Sequence, residues 1–239
     1  MGAEHFTEGR PARLAVPVAD LLARPGGARD RQVLFGAPLL VLEEAEGLAF
    51  VQSLRDGYVG YLPIATLTTA AAATHWVAGP ATHVYSRADL KSAEIMGLSF
   101  CSQLTLTGQG GAVPRPRHRG FVPVQHLREI GALFTDPVLV AARFICTPYL
   151  WGGNSRQGID CCGLVQMACH ACGFDCPGDR DMQAAGFGCL LGAAALSGLN
   201  LSPASRAGSS RAAAPRLPSG ACPRAGPASP PPRPRHRRW

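Results

Sequence analysis

Residues 149–164 read Tyr149-Leu150-Trp151-Gly152-Gly153-Asn154-Ser155-Arg156-Gln157-Gly158-Ile159-Asp160-Cys161-Cys162-Gly163-Leu164. A glycine-containing loop here leads straight into an apolar helical stretch, Leu164 to about Cys172. Asp160 suits the cap of that helix, which leaves Cys161 in its first turn. A helix N-terminus stabilises negative charge, and the thiolate is the nucleophilic form of cysteine. The backbone N–H of Cys161 would also point toward a developing oxyanion. Upstream, the pattern predicts a second helix from Pro137 to Ile145. Thr135 is placed to cap it, Asp136 suits the positive end of its dipole and Pro137 the first helical position. Val138, Ala141, Ala142 and Ile145 then fall on one face, and Pro148 ends the run.

The order of residues is as telling as their geometry. An aromatic-x-Trp-Gly-Gly run, Tyr149 to Gly153, is followed by Gly158-Ile159-Asp160-Cys161-Cys162-Gly163-Leu164. Pro177 to Gln183, PGDRDMQ, then recapitulates a Pro-Arg-x-x-x-x-Gln segment with one irregularity. Together these resemble the front half of a papain-like cell-wall peptidase of the NlpC/P60 family. Cys162 stands where that family has serine, so two adjacent thiols compete for the nucleophile's place. The register after Asp160 selects Cys161.

The resemblance implies a cysteine endopeptidase that hydrolyses the γ-D-glutamyl–diaminopimelate (or lysine) bond of peptidoglycan-derived peptides. It needs no cofactor. It implies Tyr149 near the cleft, hydrogen-bonding substrate or intermediate, and Asp160 binding the peptide or holding the loop. For Asp160 a plain helix cap is the alternative, and for Trp151 a structural wall rather than a substrate contact. Asp179 corresponds to an acid that meets the free amino end of an L-Ala-γ-D-Glu peptide.

Ahead of this segment the chain reads as short strands broken by turns. QVLFGAPLLVLEE and LAFVQSL are apolar and β-prone, and RDGYVGYLP carries the turn signal Asp56-Gly57. A second unit repeats the order, and both units close on an aromatic-containing strand followed by proline, GYVGYLPIATL and RGFVPVQHL. Such spacing favours small β-barrels and resembles bacterial SH3-like domains, which commonly precede NlpC/P60 domains. The expected class is α+β. Two SH3-like barrels, 14–68 and 75–129, precede the N-terminal part of the catalytic domain, 135–185, and a disordered tail, 186–239.

The nine cysteines include Cys169 and Cys172 at metal-ligand spacing, yet Cys162, Val165, Cys169 and Cys172 share one helical face, as small core residues would. No second such pair occurs, and no metal is expected. The net charge of +7 is misleading when read whole. Eight of the 23 basic residues lie in 182–239, which holds no acid; the remaining 15 face all 16 acids, a net of −1. That balance argues against nucleic acid as a partner. No apolar run approaches the roughly 20 residues that span a bilayer, and the N-terminus lacks the pattern of a secretory signal. A cytoplasmic location follows as an expectation, with peptidoglycan-derived peptides as the partner. Oligomeric state is not legible.

One component is missing. A cysteine peptidase needs a base, and after Cys161 only His170 and His236 follow. His170 lies within the nucleophile's own helix, and His236 sits in PPPRPRHRRW. The tail is dominated by Ala, Gly, Pro, Ser and Arg, the composition of GC-rich DNA translated out of frame. A frameshift near residues 184–190 is therefore expected to have replaced the strands that carry the base, leaving an inactive chain. A genuine disordered tail is the alternative. A non-catalytic protein that binds wall peptides through its SH3-like modules is the second functional reading.

Overall fold

The computed structural model describes residues 8–69, 71–107, 112–113 and 120–186. The expected disordered tail lies outside the described residues, apart from Gly186 at the end of a helix. No helix among the described residues is long and apolar enough to cross a membrane.

The first unit is a single antiparallel sheet. Its strands are β1 (Arg10–Leu14), β2 (Val18–Leu22), β3 (Arg29–Leu34), β4 (Pro38–Ala45), β5 (Leu48–Ser53), β6 (Val59–Pro63) and β7 (Leu67–Thr68). They run in the order β3-β2-β6-β5-β4-β1-β7. The sheet begins at Arg10, ahead of the expected boundary at residue 14. Period-2 alternation gives it one apolar face: Leu39 and Val41 on β4, Ala49 and Val51 on β5, and Leu62 on β6 all face one core with Leu14 and Leu21. Asp56-Gly57 does form the turn between β5 and β6, with Gly57 at φ +74°.

The second unit comprises β8 (His75–Val77), β9 (Ala81–Tyr85), β10 (Glu94–Ser99), β11 (Gln103–Leu104), β12 (Ala112–Val113), β13 (Gly120–Phe121) and β14 (Leu127–Glu129). These make two small sheets, β10-β9-β13-β12 and β11-β8-β14, around Val77, Val84, Leu98, Leu104 and Val122. The repeat read in the sequence has a structural counterpart. In each unit a strand passes through a 3-10 turn, Ile64–Thr66 or Val124–His126, into a short closing strand. Pro63 and Pro123 open those turns, at φ −61° and −59°, the angle the pyrrolidine ring imposes.

The third segment holds α1 (Pro137–Ala141), the hairpin β15 (Asn154–Ser155) and β16 (Gly158–Ile159), α2 (Cys161–Ala171) and α3 (Arg180–Gly186). Two expectations fail in α1. Asp136, not Thr135, is the cap: its Oδ1 accepts from the N–H groups of Val138 at 2.8 Å and Leu139 at 3.3 Å. The buried face is Val140 and Phe144, while Val138 is 75% exposed and Ile145 also faces outward. The helix tightens into a 3-10 turn, Ala142–Phe144, so the 3.6-residue period that selected the other face does not hold through the run.

Val140 and Phe144 join a core assembled from all three segments. Leu34 comes from the first unit, Trp76, Phe100 and Cys101 from the second, and Ile159, Met167, Ala168 and Ala171 from the hairpin and α2. Edge-to-face contacts of Phe100 with Trp76 and with Phe144, at 5.6 and 5.7 Å, order its centre. Helix α2 therefore does not hang from the β units; its inner face is buried against them.

Candidate active site

The start of α2 is set by one carboxylate. Asp160 Oδ1 accepts the N–H of Gly163 at 2.7 Å, and Oδ2 accepts the N–H of Gly152 at 2.9 Å. The cap read from sequence is thus real, and the same side chain also ties down the Tyr149–Gly153 loop. The cap takes the N–H of Gly163 and leaves that of Cys161 at the open end of the helix. Both glycines are required by close approach. Gly152 adopts φ +68°, and a Cβ there would meet Asp30 O at 2.5 Å. A Cβ on Gly163 would run into Asn154 Oδ1 and Gly153 O, where α2 passes the hairpin.

Cys161 is exposed and Cys162 half-buried, with their Sγ atoms 3.8 Å apart. Burial pushes the Cys162 thiol up from its ordinary value, and the hydrogen bond to Cys161 and the charge of Asp160 add to this. Tyr149 forms a parallel bridge to Ile159 and leaves its side chain 65% exposed. Its phenol titrates above the ordinary range, through partial desolvation and then through the neighbouring Cys161, Asp160 and Cys162. The bridge to Ile159 brings the Tyr149 backbone alongside the strand that leads into α2. Trp151 is 71% exposed, and its carbonyl accepts from Arg29 Nε at 2.9 Å.

Asp179 directly precedes α3. Its carbonyl accepts the N–H of Gln183 at 2.8 Å, and its carboxylate has long contacts of 3.5 Å with Arg31 Nη2 and the Tyr58 hydroxyl. Gln183 in turn donates to the carbonyls of Cys162 at 3.0 Å and Pro177 at 2.9 Å, locking α3 onto the first turn of α2. Of the sequence-selected residues, Tyr149, Asp160 and Cys161 therefore gather at one helix start, and Asp179 is held at its flank.

A buried polar network not anticipated from sequence ties this flank to the first β unit. Gln166, 2% exposed on α2, donates to Asp56 Oδ2 at 2.9 Å and to Cys176 O at 3.0 Å. Asp56 also receives Arg31 Nη1 at 3.2 Å and the Tyr58 N–H at 3.2 Å. The Arg31 guanidinium stacks over the Tyr58 ring at 3.7 Å. Burial, then Asp179 and Asp30, raise the Tyr58 phenol. The available signal was Gln166 itself, a lone polar residue on an otherwise apolar helix face.

The expected cysteine face of α2 is corrected. Gly163, Gln166, Met167, Ala168 and Ala171 are buried, whereas Val165 is exposed and Cys162, Cys169 and Cys172 are half-buried. The helix turns its small and flexible residues toward the β units. His170 is mostly buried, with Nε2 3.1 Å from Cys176 O and Nδ1 without a partner; burial lowers its pKa to about 4. Among the described residues, no group of three His, Cys, Asp or Glu side chains is arranged to hold a metal.

Comparisons with known proteins agree with this architecture. Residues 146–207 match the NlpC/P60 family, 187–207 of them outside the described residues, and residues 21–67 match the bacterial dipeptidyl-peptidase Sh3 domain. The chain thus contains an NlpC/P60 family domain and an SH3-like domain. Over 44 residues it is 48% identical to dipeptidyl-peptidase 6 of Lysinibacillus sphaericus, a match covering 18% of this chain and 16% of that protein. A crystal structure of an NlpC/P60 family protein from Bacillus cereus superposes with a TM-score of 0.65 at 18% identity, over 77% of this chain and 79% of that one. That likeness is one of fold. NlpC2 of Trichomonas vaginalis is aligned at a TM-score of 0.33 and 15% identity, over 78% of this chain and 75% of that one.

Proposed function

We propose that this chain is, by descent, a cysteine endopeptidase of peptidoglycan-derived peptides, directed at the γ-D-glutamyl–diamino acid bond, and that it is inactive as written. The observation that carries the first half is an exposed Cys161 at a helix start built by Asp160, with the loop that carries Tyr149 bridged to Ile159 and tied to the same carboxylate. In this reading Cys161 attacks the scissile carbonyl, and its backbone N–H faces the developing oxyanion. Tyr149 hydrogen-bonds substrate, Trp151 lines the open side, and Asp179 meets the free amino end of the peptide.

The second half rests on the missing base. Among the described residues each histidine is engaged elsewhere: His75 with Thr74, His83 against Tyr85, His126 with Thr82 and His170 with Cys176. The proposal includes a frameshift near residues 184–190, and a cytoplasmic protein acting on recycled wall peptides. The second β unit is taken as another SH3-like barrel because it shares the strand–turn–strand close of the first. A non-catalytic wall-peptide binding protein is the competing reading.

The test is hydrolysis of an L-Ala-γ-D-Glu-diaminopimelate peptide by the full chain and its Cys161→Ala variant, with and without imidazole in the buffer. The expected result is Cys161-dependent turnover only when imidazole supplies the base. Turnover without it would overturn the claim of inactivity. No turnover under either condition, together with uniform alkylation of all accessible cysteines, would favour the binding protein. Reading the coding DNA in its other frames beyond residue 183 checks the frameshift, which predicts a Gly-Asp strand and a His-Val segment there.

A further inference from the structure

Two thiols meet at the nucleophile's position, and the reaction above uses one. Cys161 and Cys162 hold their Sγ atoms 3.8 Å apart in the first turn of α2. The other cysteines of this helix are remote from Cys161. At about 1.5 Å of rise per residue, Cys169 starts about 12 Å further along the axis. Cys101 and Cys176 are buried, and burial pushes their thiols up to about 11 and about 12. Among the described residues, Cys162 is the cysteine whose sulfur lies against that of Cys161.

We infer that Cys161 and Cys162 form an oxidative modification site, at which Cys162 resolves a hydroperoxide-oxidised Cys161 into a vicinal disulfide. This masks the Cys161 thiol reversibly. The inference rests on reading Cys161 as the nucleophile and deepens it by assigning a role to the residue at which the chain departs from its family.

The chemistry balances without a further reagent. The Cys161 sulfur attacks the terminal oxygen of a hydroperoxide, the O–O bond breaks, and the alkoxide takes up the thiol proton and leaves as alcohol. Cys161 is now a sulfenic acid. The Cys162 sulfur attacks the sulfenic sulfur, the S–S bond forms as the S–O bond breaks, and the departing hydroxide leaves with the Cys162 proton as water. The two thiols supply the two electrons that cleave the peroxide.

The fold makes this bond reversible. Closing 3.8 Å to the roughly 2.05 Å of a disulfide draws the sulfurs together by about 1.8 Å. Adjacent helical residues cannot do this while the turn stays helical, so the start of α2 must open. The bonds from Gly163 N–H to Asp160 and from Gln183 Nε2 to the Cys162 carbonyl both resist. A disulfide formed against such restraint is easily reduced, as regulatory disulfides are. With serine at position 162 the sulfenic acid has no adjacent resolving thiol, and further peroxide carries it irreversibly to sulfinic acid.

The test treats the full chain and its Cys162→Ser variant with hydrogen peroxide, blocks free thiols, and maps every cysteine by tandem mass spectrometry. The native chain is expected to lose two hydrogens across Cys161 and Cys162, recovered by dithiothreitol. C162S is expected to gain two oxygens on Cys161 that dithiothreitol does not remove, with irreversible oxidation at least about tenfold faster than in the native chain. The inference is overturned if native Cys161 reaches sulfinic acid as fast as in C162S. It is also overturned if the native disulfide joins either residue to Cys169, Cys172 or Cys176, an outcome read on the native chain alone. Neither readout requires turnover, so failure of the peptidase reading shows separately, in the hydrolysis assay.

Discussion

The N–H of Gly152 donates to Asp160 Oδ2 at 2.9 Å, so the side chain that caps α2 also pins the aromatic loop beside it. Removing Asp160 therefore removes two restraints at once. Asp160→Ala is expected to cost about 2–3 kcal/mol, a lost helix cap plus a charged hydrogen bond. Urea unfolding checks the magnitude, with Asp160→Asn losing less because an acceptor remains.

Gly152 and Gly163 are expected to be intolerant of alanine for different reasons. At Gly152 the backbone is left-handed and Asp30 O blocks the side chain; at Gly163 the hairpin does. Each change should destabilise by about 2 kcal/mol or more, since backbone rather than a flexible side chain must move. Thermal unfolding of the two variants measures this, and a loss below half that value in G163A would mean that α2 sits further from the hairpin.

Arg31 and Asp56 are both nearly excluded from solvent and 3.2 Å apart. Arg31→Met is expected to cost about 3 kcal/mol, because the Asp56 charge is left buried with only neutral donors, Gln166 and the Tyr58 N–H. Adding Asp56→Asn to that background should restore much of the loss. The double-mutant cycle reads the coupling; simple additivity of the two changes would show that the pair does not interact.

His170 provides the pH dependence. Its folded pKa, about 4, lies below the ordinary value of 6.5, so the unfolded chain binds the extra proton between those values. Stability from this residue is present above pH 6.5 and falls as pH drops toward 4. The loss between pH 7 and pH 5 is about 2 kcal/mol, from roughly 1.4 kcal/mol per unit. Denaturant unfolding at both pH values, for the native chain and His170→Gln, should show the slope shrinking by that amount in the variant.

What the sequence determined by itself is local. The β alternation of residues 32–53, the Asp56-Gly57 turn, the paired proline-opened closes and the Asp160 cap depend on neighbours within a few residues, so their chemistry is written in order. The assembly of Tyr149, Asp160 and Cys161 was legible for the same reason, since all three lie on one short loop and helix start. The faces of α1 and α2 were not. Which side of a short helix is buried depends on what packs there, and the partners, Trp76, Phe100 and Leu34, come from two distant segments. Nor could spacing reveal that Arg31 and Asp56 of the first β unit would meet Gln166 and Asp179, more than a hundred residues away. A buried charge needs partners on every side, and the tertiary structure alone decides which residues are brought close enough to serve.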